Sequence, residues 1–212
     1  MTHLERIKNS FGRKPIDRIP LHFWGTKEFN KELESYLGEG IDTILYQMFD
    51  IDRKYLGPDY IGPELKKYED GTYDNIFGVR MKDVRYGNGV YSESVWHPLA
   101  GISSARDVEN YAWPSPDWYN YASIVKCLEE SPDYSFTVGY QAIGWFSWET
   151  RGMSLFLEDL LIESEIAEAI IDKVAGFGFE YYRRLIDAGK EYIGKNFTFI
   201  QLRTTGRHKK VC

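Results

Sequence analysis

Pro15-Ile16-Asp17-Arg18-Ile19-Pro20-Leu21-His22-Phe23-Trp24-Gly25-Thr26 is the stretch on which the fold turns. Pro15 and Asp17 end an amphipathic opening segment, 1–14, in which Leu4, Ile7 and Phe11 fall at helical spacing. Residues 18–24 are a short apolar run stopped by Gly25, the pattern of a buried strand. Thr26 is suited to cap a helix over 27–37, with Glu28 in its first turn. A strand delivered directly into a capped helix predicts the first β/α unit of a parallel sheet.

Working outward, the same alternation repeats. A helical segment over 42–49 precedes a second strand at 51–56, stopped by Gly57-Pro58. Residues 77–96 alternate around Gly87-Asn88-Gly89 and predict an antiparallel hairpin leaving the main sheet. A short helix over 107–111, an extended stretch over 113–118 and a helix over 121–130 lead to a third strand at 135–140. A glycine- and aromatic-rich segment then runs to Gly152, followed by helices over 154–161 and 165–188 and a fourth strand at 196–202. In the last helix Ile166, Ile170, Val174, Phe177, Tyr181 and Leu185 recur at three- and four-residue steps. Four such units are half of a (β/α)8 barrel, which needs roughly 250 residues. An open doubly wound sheet fits the pattern equally, so pattern alone does not choose.

Composition narrows the function classes. Aromatic residues make up 16% of the 212 and ask for burial in a core, an interface or a flat ligand pocket. The net charge of −6 excludes general nucleic-acid binding, which needs a basic face. Two cysteines, Cys127 and Cys212, suit a reducing compartment and give neither a disulfide framework nor a thiolate metal site. Cys127, among Ile124, Val125 and Leu128, is expected to be a core thiol. No stretch approaches the ~20 apolar residues of a membrane helix, and a cytoplasmic protein is expected. Residues 203–212 hold four of the 26 basic residues and no acid. This tail is foreign to the domain over 1–202, and it is expected to be an aberrant end such as a frameshift.

The chain resembles the uroporphyrinogen decarboxylase superfamily. The resemblance rests on Pro15-Ile16-Asp17-Arg18-Ile19-Pro20, on Asp74-Asn75-Ile76-Phe77-Gly78-Val79, on His97-Pro98-Leu99, on Tyr111-Ala112-Trp113-Pro114-Ser115-Pro116-Asp117, and on the run from Gly139 to Gly152. It implies an α/β fold, an incomplete TIM-type (β/α)8 barrel of about four units with an antiparallel hairpin excursion. The decarboxylases' arginine-bearing element after the first strand is here Leu21-His22-Phe23-Trp24-Gly25-Thr26-Lys27, without an arginine. A substrate with eight carboxylates needs several guanidinium forks. The pattern is therefore closer to the divergent branch with corrinoid-linked methyltransferases. For a full-length member the resemblance implies zinc, a corrinoid or corrinoid protein, a tetrapyrrole or small methyl-donor substrate, and a possible homodimer. The family's zinc ligands belong to the second half of the barrel, so no metal site is expected within this chain.

Candidate site residues gather at the ends of strands, where barrel enzymes place their chemistry. His22 is a candidate acid/base and Trp24 a binding residue after the first strand. Asp59 lies after the second, where the resemblance places a carboxylate that stabilises cationic charge on the substrate; Gly57-Pro58-Asp59 is also ordinary turn chemistry. After the third strand Tyr140, Gln141, Trp145, Trp148 and Arg151 form a binding cluster with Glu149 as a catalytic carboxylate. His97, at the hairpin exit, reads as structural. Methyl transfer, porphyrinogen decarboxylation and a non-catalytic fragment are the three functional readings. Four strands without further partners leave open edges, so the isolated chain is expected to aggregate or to be molten, with weak near-ultraviolet circular dichroism. A cooperative melt of a monodisperse species would contradict this.

Overall fold

The computed structural model describes residues 1–87, 89–138, 142–162, 164–195 and 197–198. Helices α1 (His3–Phe11), α2 (Lys27–Leu37) and α3 (Ile41–Thr43), the last continued by a π-helical turn over Ile44–Met48, precede β1 (Arg53–Leu56). Then come β2 (Asp59–Tyr60), β3 (Tyr73–Asp74), β4 (Arg80–Tyr86), β5 (Gly89–Trp96), α4 (Ala105–Glu109), β6 (Tyr119–Asn120) and α5 (Ser123–Glu130). The chain continues with β7 (Ser135–Val138), α6 (Ile143–Arg151), α7 (Met153–Leu161), α8 (Glu165–Gly189) and β8 (Phe197–Thr198). The main sheet runs β1-β7-β8, all parallel. Helical crossovers join its strands, as parallel pairing requires. This is a mixed α/β fold with an open sheet; no closed barrel forms among the described residues.

Local chemistry explains the expected elements. Thr26 accepts from the Phe29 N–H and Gly38 ends α2 in the left-handed region, at φ 73°. The hairpin pairs Tyr86 with Gly89. That two-residue connection needs positive φ, which Gly87 supplies at 51°. α4 begins two residues earlier than expected because Ser104 and Asp107 form a reciprocal capping box. The core lies between one face of the main sheet, through Leu56, Phe136 and Val138, and Ile124, Leu128, Ile170, Val174, Phe177 and Leu185 on α5 and α8. Truncating a fully buried member such as Leu185 removes about 2–5 kcal/mol.

Three expectations are corrected. Residues 18–24 form no strand; Ile19, Leu21 and Trp24 are exposed. One main-chain bond, Asp52 N–H to Leu21 O at 3.0 Å, lays this segment beside the start of β1. Pro20 has no N–H to give to a ladder, and the Leu21 N–H is taken by the Asp52 carboxylate. Residues 143–151, left without an element, are helix α6, and 59–60 pair antiparallel with 119–120 as an unforeseen two-stranded clip. Cys127 is exposed on α5, not in the core: Ile124 and Leu128 face inward, and residue 127 sits at the margin of that face, in solvent. The strand expected at 196–202 is described only at Phe197–Thr198, and residues 203–212 lie outside the described residues.

The Pro15–Pro20 motif acts structurally. Arg6 donates to both carboxylate oxygens of Asp17, at 2.7 and 2.8 Å, and also to Asp52. Arg18 donates to Asp50 and Asp52, His3 Nδ1 lies 3.0 Å from Asp52, and the Leu21 N–H reaches Asp52 Oδ2 at 2.6 Å. The Asp52 side chain is 0% exposed. Burial alone would raise its pKa; the hydrogen bonds from Arg18, Leu21, His3 and Arg6 outweigh this and hold it below the usual carboxylate range.

Removing one partner of such a buried network leaves unpaired charge, so Asp52→Ala is expected to lower unfolding stability by about 3–5 kcal/mol in a denaturant melt. A carboxyl whose folded pKa is depressed stabilises the fold above its unfolded value of about 3.9, and that stability disappears as pH falls through the folded value. The gap between wild type and Asp52→Ala should therefore narrow as the melt is repeated at progressively more acidic pH.

Candidate functional site

Strand alternation gives the main sheet two unlike faces. Lys54, Leu56, Phe136 and Val138 share one face, and Leu56, Phe136 and Val138 belong to the helical core. The other face carries Arg53, Tyr55, Ser135 and Thr137, with Arg53 directly opposite Ser135 and Tyr55 opposite Thr137. Arg53 donates to the Thr137 hydroxyl. A guanidinium beside hydroxyls on this face is suited to holding a polar ligand.

Over this face lies a cleft of about 150 Å³ whose walls include Phe23, Trp24, Asn30, Leu45, Arg53 and Tyr55. Trp24 is 79% exposed and forms an open wall. The Asn30 side-chain oxygen is buried with no hydrogen-bond partner. Gly25 closes the floor, because a Cβ there would stand 2.6 Å from Asn30 Oδ1 and 2.7 Å from the Phe23 ring. His22 packs edge-to-face on Tyr55, ring centroids 5.4 Å apart. Partial burial, and secondarily the charge of Arg53, lower its pKa. The sequence-expected His22 and Trp24 are thus brought together with Arg53, Tyr55 and Asn30, which sequence reasoning missed. The signal for Arg53 and Tyr55 was available: they alternate with Lys54 and Leu56 in an expected strand, so one parity had to face away from the helices.

The third-strand cluster behaves differently. On α6 Trp145 and Trp148 sit edge-to-face at 4.7 Å. Glu149 is only 5% exposed. Burial raises its pKa, partly offset by a hydrogen bond with Trp145 and by His97. His97 Nδ1 lies 2.6 Å from the Glu149 main-chain oxygen, the geometry of a donated bond, and its ring covers Gly152, whose φ is 92°. Arg151 faces inward, donating to Asp159 at 2.8 Å and to the carbonyls of Leu99, Ala100 and Ile102. These contacts fasten the hairpin exit to α6 and α7, so Arg151 presents no free guanidinium fork for a substrate. Asp59 is exposed, its N–H bound to the Ser123 hydroxyl at 3.0 Å, and it does not line the cleft. Tyr140 and Gln141 lie outside the described residues.

Among the described residues no group of three or more His, Cys, Asp or Glu is placed to hold a metal ion. Cys127 stands exposed on α5 with no such group around it. These residues do not fit a zinc site. No described helix is long and apolar enough to cross a membrane.

The arrangement can hold a ligand of a few heavy atoms: apolar contact from Phe23, Trp24 and Leu45, a cation from Arg53, an acceptor from Asn30 and a neutral imidazole at the rim. His22 is expected to titrate below the ordinary histidine value of about 6.5. Replacing Arg53 by Gln removes the secondary cause only, so the His22 pKa should rise part of the way back. A titration followed by NMR of the ring protons checks this, and an unchanged or lower value would count against the pairing.

No protein-family model matches the chain. No curated protein matches it either. Among solved structures, a methyltransferase from Methanosarcina mazei superposes with a TM-score of 0.54 at 13% identity, over 89% of this chain and 57% of that one. The chain thus spans little more than half of that protein's length, and the likeness is one of fold: an α/β architecture like that of this methyltransferase.

Proposed function

We propose that this chain forms the substrate-holding front portion of a methyltransferase built on a TIM-type barrel, within the divergent branch of the uroporphyrinogen decarboxylase superfamily. The observation that carries the reading is the small cleft on the polar sheet face, with its aromatic walls and Arg53. Sites for drug-sized ligands run to about 300–1,000 Å³. A cleft of about 150 Å³ suits a methyl group and a short acceptor, with a macrocyclic donor lying outside it. The fold likeness to a methyltransferase supports the same reading.

In this proposal Phe23, Leu45 and the open wall of Trp24 make apolar contact with the methyl group, while Arg53, fixed by Thr137, orients a polar end of the substrate. His22, neutral near pH 7, accepts the proton of a thiol acceptor as its sulfur attacks the methyl carbon. The bond from that carbon to its donor breaks, and the electron pair leaves with the donor. The decarboxylase alternative fits less well, because Arg6, Arg18 and Arg151 are committed to carboxylates and carbonyls and leave few cations for a polycarboxylate. A corrinoid partner and a cytoplasmic location belong to the proposal on the same footing.

A form that carries the whole barrel, incubated with methylcobalamin and mercaptoethanol, should yield the methyl thioether, measured by mass spectrometry. Arg53→Ala should slow its formation about tenfold or more, the effect of one charged hydrogen bond of ~1.5–3 kcal/mol. Absence of thioether, an undiminished rate in Arg53→Ala, or carbon dioxide release from uroporphyrinogen would overturn the reading.

A further inference from the structure

The outer surface of α7 carries an apolar stripe that stands exposed among the described residues. Met153, Leu157, Leu160 and Leu161 recur at i, i+4, i+7 and i+8, and Ile162 extends the stripe past the helix end. Phe156 and Asp159 occupy the opposite, buried side. Leu161 is 84% exposed and Ile162 75%. The stripe borders a groove of about 220 Å³ between α7 and α8, floored by Leu160, Ala167 and Ile171. Contiguous exposed apolar surface of this kind, rimmed by polar groups, marks an interaction site more often than a solvated face.

We infer that this groove docks a basic amphipathic helix from another polypeptide. The stripe spans about two helical turns, the length read by anchors at i, i+3 or i+4, and i+7 in helix-in-groove recognition. Charge selects the occupant. Glu168 and Asp172 line the groove, Glu158 stands on α7 and Glu165 begins α8; all four are exposed, and none has an ion-pair partner among the described residues. Asp159, the one acid at the groove neutralised by a cation, holds Arg151. A second copy seated by two-fold symmetry would set this acidic rim against itself, and an anionic membrane would meet the same repulsion. A helix with leucines on one face and lysines flanking them satisfies both the apolar floor and the rim. This inference stands on α7 and α8 alone and does not depend on methyl transfer.

The test uses the whole chain and a fluorescein-labelled synthetic helix of leucine and lysine with leucine at i, i+3, i+4 and i+7. A peptide of the same composition in scrambled order is the control. Anisotropy should report binding in the micromolar range for the patterned peptide, at least about tenfold weaker for the scrambled one. Leu157→Asp/Leu161→Asp, and separately Glu168→Lys/Asp172→Lys, should each weaken binding on the order of tenfold. All these residues are surface positions, and an unchanged far-ultraviolet circular dichroism spectrum identifies folded variants. Equal binding of the scrambled peptide, or unchanged binding by the leucine variant, overturns the proposal. So does self-association of the chain, or binding to phosphatidylserine vesicles, if either is abolished by Leu157→Asp/Leu161→Asp.

Discussion

The structure depends on a buried carboxylate placed one residue before a strand. Asp52 has no exposed side-chain surface and receives bonds from Arg6, Arg18, His3 and the Leu21 main chain. An isolated charge in that position would cost several kcal/mol. Its partners come from α1 and from the segment after it, and Arg18 also holds Asp50 in the turn before β1, so the opening of the chain folds as one electrostatic unit. That unit sits at the N-terminal end of β1, directly beside Arg53 of the cleft.

From this anchor the rest is positioned in sequence. Fixing Asp52 fixes the start of β1, and β1 pairs in register with β7 from Arg53–Ser135 to Leu56–Val138. The helical side of the sheet is sealed by α5 and α8, while the other side keeps Arg53 and Thr137 in contact. A second fastening, made by His97, Arg151 and Asp159, ties the β4–β5 hairpin to α6 and α7. Two polar clusters therefore hold the molecule at separated places, and the cleft lies against a face that neither of them consumes.

Much of the architecture was legible from residue pattern. Helix α2 was readable from Thr26 and Glu28, the hairpin from its glycine tip, and α8 from its apolar periodicity, because each signal is local. The run at 18–24 misled because apolar content alone does not make a strand; it needs free N–H and C=O groups matched by a partner's, and here Pro20 has no N–H and the Leu21 N–H is taken by Asp52. The two-residue pairing of Asp59–Tyr60 with Tyr119–Asn120 was invisible because so short a ladder leaves no periodicity. At the site, His22 and Trp24 were legible as residues after an expected strand. Arg53 went unnoticed because a charged residue at a strand start reads as an edge, and Arg151 was over-read because a guanidinium near aromatic rings resembles a ligand clamp until its carbonyl partners are seen. Cys127 shows the limit of neighbour-based reasoning: two buried residues one turn apart say nothing of the residue between them.

The period-two character of β1 has a consequence for how this chain can change length. Only four residues separate the Asp52 anchor from Gly57, and successive ones serve opposite tasks, ligand face and helical core. Inserting or deleting one codon within 53–56 would rotate every following side chain of the strand to the wrong side, driving a charged or phenolic group into the core and Leu56 into the cleft. The connection over 61–66 carries no such parity and can absorb added residues. Variation in length should therefore be tolerated at one end of this short stretch and lethal to the fold a few residues away.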